Sequence, residues 1–377
     1  MLTNSFNEKI NIYWRRVDKK ILFSFMFLFF LGLFFSFSST SSLAGERLDK
    51  DYYFFFSKHL LFVIIALLVM FFISFLDLNI VKKSVLPIFI ILFMLLFMVP
   101  FIGVEVKGSK RWLDLFFFRL QPIELVKPFF ILLVSQILTI DKSKTTNSFY
   151  FLSFLLLLSI IILLINQPDI GQSILLIGTW CSIVFIAGIS LFYILSFFGI
   201  SLGGLISLLI LFPERFGYIT KRLNSFFDPT KGDNFQSQKA LEAIKQGGLK
   251  GQGMGEGILK DSVPEAHTDY IISVIAEEFG SIISIILIVI FLYIAFRIIK
   301  FTILEKDRNI KISLCGLSAL LIMQTFIHIG VNTSLLPTTG MTLPFLSYGG
   351  SSLLGSAILA GVIINYTKKR FFNDEIE

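Results

Sequence analysis

The stretch that decides the fold is residues 264–300, PEAHTDYIISVIAEEF followed by GSIISIILIVIFLYIAFRIIK. Its second part is apolar for long enough to cross a hydrocarbon layer, which takes about 20 mostly apolar residues in a helix. Its first part sets Glu265, His267 and Asp269 at the mouth of that span. Glu277 and Glu278 follow in the upper turns, about 12 Å deeper at 1.5 Å per residue. Ionisable groups are costly inside a bilayer and mark functional positions there.

The rest of the chain has the same apolar character. Of its 377 residues, 55% are hydrophobic and 16% charged, with a mean hydropathy of +0.81, which excludes a soluble domain and fits a polytopic membrane protein. Ten segments are long and apolar enough to span: 21–39, 59–76, 85–102, 122–140, 149–165, 172–188, 191–212, 269–299, 312–330 and 343–366. The expected fold is all-α with ten transmembrane helices, and an even count puts both termini on one side. The polar run 3–11 leads through YWRRVDKK into apolar sequence with no small-residue cleavage site, so this segment reads as a retained span and not a removed signal. Cys181 and Cys315 each lie inside an apolar segment and read as packing residues, with no disulfide or metal framework expected.

Orientation follows from where the short loops keep their basic residues. The N-terminal segment, the loops with Lys82 and Lys144, the stretch 297–311 and the C-terminal tail hold 17 of the 33 Lys and Arg. The short loops on the opposite side hold 7, among them Lys107, Lys110, Arg111 and Arg119. Both termini are therefore expected in the cytoplasm. The net charge of +7 belongs to span flanks and is no nucleic-acid footprint. The chain divides into a cytoplasmic segment 1–20, spans one to seven over 21–212, an outer loop 213–268, spans eight to ten over 269–366, and a cytoplasmic tail 367–377.

Loops as long as 213–268 are functional or disordered, and the content here argues for order. Asp233 is placed to cap an amphipathic helix, DNFQSQKALEAIKQGG, with Gln236 at the capping-box position, Leu241 and Ile244 on one face and Gly247 at its end. The glycine-rich stretch GGLKGQGMGEG (247–257) reads as a flexible turn before it reads as a phosphate cradle, because its spacing alone is a weak signal.

Two readings stand side by side for Asp269. Ser262 to Glu265 fits a capping box and an acid at a helix start suits the helix dipole, but a cap explains one acid and not a cluster with a histidine at a membrane mouth. Glu277 and Glu278 are adjacent and cannot both face lipid, so at least one faces the bundle interior. Lys110 and Arg111 flank Trp112 as interfacial anchors. Glu124 and Lys127 lie three apart on one helical face and read first as a structural ion pair, second as an anion site. Asp169, in NQPDIG, reads as the N-cap of span six, and His328 as a hydrogen-bond donor within the bundle.

Five blocks in order resemble the shape, elongation, division and sporulation family of cell-wall polymerases: KGSKRWL (107–113), QPIELVK (121–127), QPDIG (167–171), GGLKGQGMGEG with PEAHTDYIISVIAEEFG, and LPTTGMTLPFLSYGGSS (336–352). YWRRVDKKIL, SSTSSLAGERL, FQSQKALEAIKQGG and MTLPF resemble its division branch. Ile123 and Thr339 depart from that pattern, where Ser and Lys are usual; the second leaves the elongation branch open.

The resemblance implies a peptidoglycan glycosyltransferase of the bacterial cytoplasmic membrane, acting at the division septum. Its substrate is lipid II, and its partners are a class B penicillin-binding transpeptidase and other division proteins, not nucleic acid. The family's essential acid falls on Asp269 and its span-four ion pair on Glu124 and Lys127. On this reading Asp269 is the general base and Lys110, Arg111 or Lys127 meets the departing pyrophosphate. Glu277, Glu278 and His267 support the site, and Asp269 and Glu278 are the candidates for holding a divalent cation, Mg or Mn. A lipid flippase and a non-catalytic division scaffold are the readings from other classes.

Overall fold

The structure, a computed structural model, describes residues 2–39, 54–106, 108–115, 118–141, 146–211, 213–227, 235–259, 262–263 and 265–369. Its helices are α1 (Leu2–Arg16), α2 (Lys19–Ser39), α3 (Phe54–Phe75), α4 (Leu78–Ile102), α5 (Pro122–Ile137), α6 (Asn147–Asn166), α7 (Ile170–Ala187) and α8 (Leu191–Leu211). They continue as α9 (Pro213–Phe227), α10 (Phe235–Gly247), α11 (Ile271–Leu304), α12 (Arg308–Asn332) and α13 (Gly350–Tyr366). Among the described residues seven helices are long and apolar enough to cross a membrane: α2, α3, α4, α6, α7, α11 and α12. Each of the ten segments expected to span falls on a helix, the remaining three being α5, α8 and α13.

Near-uniform apolarity is what lets these helices sit in a bilayer, since lipid asks for no polar face. What distinguishes them is burial. Helix α5 is buried along nearly its whole length, from Pro122 to Ser135, and α4, α7, α12 and α13 pack around it. Small residues on α13 allow close approach, as membrane helices need in the absence of a hydrophobic drive. A side chain at Gly361 would meet the Met70 carbonyl at 2.9 Å, and one at Gly355 would run into the Glu124 carbonyl.

The bundle has two chemically distinct ends. At one, Asp18 pairs with Arg297, Lys82 pairs with Asp307 at 2.7 Å, and the Lys369 amide donates to the Arg16 carbonyl at 2.8 Å. That last bond brings the first and last described segments together. The candidate functional residues lie at the other.

Four expectations need correction. The fold is not purely helical: SKRWL, residues 109–113 of the KGSKRWL block, lies in a small antiparallel sheet, β1 (Val104–Val106), β2 (Ser109–Asp114) and β3 (Arg119–Leu120), in the order β1-β2-β3. The last helix begins at Gly350, not at residue 343, because 333–349 forms an irregular segment that returns into the bundle. The buried face of α10 is made by Ala240, Ala243 and Gly247, with Leu241 and Ile244 only partly covered; small residues win there because the helix lies directly on backbone. Its proposed cap, Asp233, falls outside the described residues.

The fourth concerns the glycine-rich stretch, which is a packed clasp and not a flexible turn. Helix α11 breaks at Gly280 (φ 85°, ψ 167°), a conformation open to glycine and almost nothing else. A break inside a span leaves backbone groups that lipid cannot satisfy. Here the clasp satisfies them. Gln252 and Gly253 amides donate to the Glu277 and Glu278 carbonyls at 2.9 and 3.0 Å. The Ser281 and Ile282 amides donate in turn to the Gly248 and Leu249 carbonyls at 2.9 and 3.4 Å. Gly251 has φ 80°, and a side chain on it would lie 2.6 Å from the Gly280 nitrogen and collide with the Glu278 carbonyl.

Gly251→Ala is therefore expected to lower the melting temperature well beyond Gly255→Ala. Gly255 has the similar φ of 84° but nothing within 4 Å of its Cβ position among the described residues. The control should lose only the left-handed backbone penalty, about 1–2 kcal/mol. Equal shifts in thermal unfolding of the two purified variants would refute the clasp.

Candidate functional site

The approach to α11 is a tight turn. Glu265 has φ 57°, and its carbonyl accepts the amides of Thr268, Asp269 and Tyr270 at 3.0, 3.1 and 3.2 Å. Tyr270 occupies the N-cap position of α11 without a side-chain cap. Ser262 spends its hydroxyl on the Leu259 carbonyl, at 2.8 Å. The N-cap of α11 is thus Tyr270, one residue beyond Asp269.

The turn is strapped to the irregular segment 333–349. Ser347 Oγ donates to the Thr268 carbonyl at 2.6 Å and the Tyr348 amide to the His267 carbonyl at 2.9 Å. Asn332 Nδ2 holds the Asp269 carbonyl at 3.0 Å. The segment is itself held from below, by His328 Nδ1 on the Met341 carbonyl at 2.8 Å and Gln324 Nε2 on the Thr342 carbonyl at 3.1 Å. These bonds fix backbone, and with it the direction of the Asp269 side chain.

That side chain faces Gly340. The position a Cβ would take on Gly340 lies 3.5 Å from Asp269 Oδ2 and 3.8 Å from Arg111 Nη1. An acid and a guanidinium 158 positions apart in sequence thus converge on one residue that has no side chain to obstruct them.

Arg111 reaches this point from β2. Strand alternation turns Arg111 inward and Lys110 outward, so the two adjacent cations do not act together. The Arg111 guanidinium donates Nε to the Gln167 carbonyl at 3.2 Å and Nη2 to the Pro168 carbonyl. Asp169 Oδ2 lies 3.7 Å from Nε. Asp169 is also the N-cap of α7, accepting the Gln172 amide at 3.4 Å, as its place in NQPDIG predicts. Burial pushes its carboxyl above the ordinary value and the Arg111 charge pulls it back.

A second arginine, Arg222, arrives from α9. Its Nη1 donates to the Thr338 carbonyl at 3.3 Å, two residues from Gly340. Burial and the nearby Arg111 charge lower its pKa from the usual value, and Tyr218, one turn earlier, feels the same Arg111 and Asp169 charges. Sequence reasoning missed Arg222 among the eight basic residues of the long loop. The amphipathic pattern of α9, with Phe216 and Ile219 buried, was the available signal.

Glu124 and Lys127 pair at 2.9 Å and are nearly inaccessible. They are links in a buried ladder rather than an isolated bridge. Gln172 Nε2 donates to Glu124 Oε1 at 2.7 Å, and Lys127 Nζ donates to Gln324 Oε1 at 3.1 Å. Through Asp169 above and Gln324 below, the ladder connects Arg111 to the segment carrying Gly340. The Lys127 ammonium is engaged within it by Glu124 and Gln324.

The deeper glutamates belong to the clasp. Glu277 accepts the Leu259 amide at 2.7 Å, and Glu278 accepts the Ser38 hydroxyl of α2. Both are buried. The His267 ring packs between Phe55 and Tyr348, 5.6 and 5.7 Å from their ring centres. Among the described residues no three His, Cys, Asp or Glu side chains converge as a metal site.

These features define a multi-pass helical membrane protein with an acid and two arginines gathered at one end of its bundle. The chain belongs to the FtsW/RodA/SpoVE family, whose model, described as cell cycle protein, matches residues 19–371. It is 35% identical over 362 residues to the probable peptidoglycan glycosyltransferase FtsW of Caulobacter vibrioides, covering 96% of this chain and 92% of that one. It is 32% identical to the stage V sporulation protein E of Bacillus subtilis, covering 91% of this chain and 94% of that one. Its fold is similar to that of the Thermus thermophilus rod shape determining protein RodA, with TM-score 0.69 and 23% identity over 96% of this chain and 98% of that one. A chain from a study of a peptidoglycan synthase complex that coordinates polymerization and crosslinking superposes with TM-score 0.76 at 22% identity, over 96% of this chain and 99% of that chain.

Proposed function

We propose that the protein is a peptidoglycan glycosyltransferase that polymerises lipid II for septal wall synthesis in cell division. The observation that carries this reading is the convergence of Asp269 and Arg111 on Gly340, in a chain related over almost its whole length to proteins of that name. Both termini are cytoplasmic, ten helices span the inner membrane, and 213–268 lies outside. The adjacency of Arg16 and Lys369 supports the even span count.

Asp269 removes the proton from the 4-hydroxyl of one lipid-linked sugar. That oxygen attacks the anomeric carbon of the other substrate as the carbon–oxygen bond to the diphosphate breaks, with inversion, releasing polyprenyl diphosphate. A positioned general base contributes about 10²–10⁴ in rate, and a guanidinium aimed at the leaving group stabilises charge where it develops. Arg111 is that guanidinium; Lys110 and Lys127 are not. A divalent cation, Mg²⁺ or Mn²⁺, would be held by Asp269, with Glu278 the other candidate, and would supply positive charge for the departing diphosphate. The partner is a penicillin-binding transpeptidase that crosslinks the new strands.

Co-reconstitution of the protein with candidate transpeptidases and labelled lipid II, with products resolved on a gel, tests the reading. Long glycan strands are expected. Lipid II moved across the bilayer but never polymerised would refute it and favour a flippase.

A further inference from the structure

Two arginines from distant parts of the chain, Arg111 and Arg222, reach the segment around Gly340. Arg111 spends Nε and Nη2 on the carbonyls of Gln167 and Pro168 and turns Nη1 toward Gly340. Arg222 approaches the same segment and finds a neutral acceptor, the Thr338 carbonyl, at the long distance of 3.3 Å. Asp169, 3.7 Å from Arg111 Nε, and Asp269 beside Gly340 offset part of the like-charge cost of gathering the two cations, but the bond Arg222 makes here is to a neutral acceptor.

The face of α9 that carries Arg222 supplies a further donor. Tyr218 lies four residues earlier, hence on the same face of the helix. Its hydroxyl is buried without a hydrogen-bond partner among the described residues. The same holds for Thr339 Oγ1, between the Thr338 carbonyl that Arg222 holds and Gly340. Buried polar groups are nearly always bonded, so an unpartnered phenol that feels both arginine charges describes a site built for something with several acceptor oxygens. A diphosphate has them, and guanidinium geometry matches phosphate oxygens two at a time.

We propose that Arg222 and Tyr218 of α9 are diphosphate-binding residues. On binding, Arg222 exchanges the Thr338 carbonyl for the oxygens of the departing polyprenyl diphosphate, and the two arginines hold it together. The inference rests on the polymerase reading and extends it: it assigns the outer-loop helix α9 a direct part in holding the leaving group.

The test is binding of a polyprenyl diphosphate to the full-length protein in detergent, with inorganic pyrophosphate as the headgroup-only probe. Arg222→Ala should weaken polyprenyl diphosphate at least tenfold and Tyr218→Phe about threefold, with Arg222→Lys between wild type and alanine. Inhibition of polymerisation by added polyprenyl diphosphate should weaken in parallel. Should Arg222→Ala fail to fold, Arg222→Lys and Tyr218→Phe still decide, because neither removes the helix surface. Unchanged affinity in folded variants would overturn the inference. Wild-type protein that polymerises lipid II but binds diphosphate independently of Arg222 would sink this inference alone. Arg222-dependent binding in a wild type that cannot polymerise would sink the polymerase reading and leave the site standing.

Discussion

Asp269→Asn is expected to reduce lipid II polymerisation by about 10²–10⁴, the contribution of a positioned general base, with no loss of folded protein. The second half of that expectation is what gives it force. The structure uses Asp269 through its backbone, whose amide bonds to Glu265 and whose carbonyl is held by Asn332. The N-cap of α11 is the next residue, Tyr270. Asparagine keeps the shape and the backbone bonds and removes the charge and the capacity to accept a proton. Strand length on a gel and thermal unfolding of the same preparation are the two measurements. A normal rate in folded Asp269→Asn protein would end the base assignment.

Lys127→Met is expected to destabilise the protein by about 3–5 kcal/mol, the range for breaking one half of a buried ion pair. Glu124 would be left ionised at the centre of the bundle with Gln172 as its remaining hydrogen-bond donor. Replacing Glu124 and Lys127 together by methionine should recover part of the loss, since removing both charges removes the need for pairing. Recovery will be incomplete because Gln172 and Gln324 each lose a partner. Thermal unfolding of the single and double variants decides this. A fully stable Lys127→Met protein that fails to polymerise would mean instead that the lysine meets the substrate.

The two expectations differ because the two acids sit in different surroundings. Asp269 is part-exposed and faces Gly340, a residue with no side chain, with Arg111 close by. Glu124 faces other side chains on every side, and a cavity of about 10 Å³ beside it is close to the smallest that admits one water.

The sequence by itself determined that this is a membrane protein, where its helices run and that Asp269 stands at a span boundary. Those properties are local: apolar length, loop charge and an acid next to an apolar run are all read within a few dozen residues. Asp169 as an N-cap and Glu124 with Lys127 as a pair were legible for the same reason, since each is set by spacing on one helix. Only the tertiary structure decided which residues meet Asp269. Arg111, Gly340 and Arg222 come from a strand, an irregular segment and an amphipathic helix far apart in the chain, and no periodicity links them. It also reversed the reading of the glycines. Their spacing alone cannot distinguish flexibility from close packing, because glycine permits both; the broken backbone of α11 pressed against Gly247 and Gly251 makes the difference.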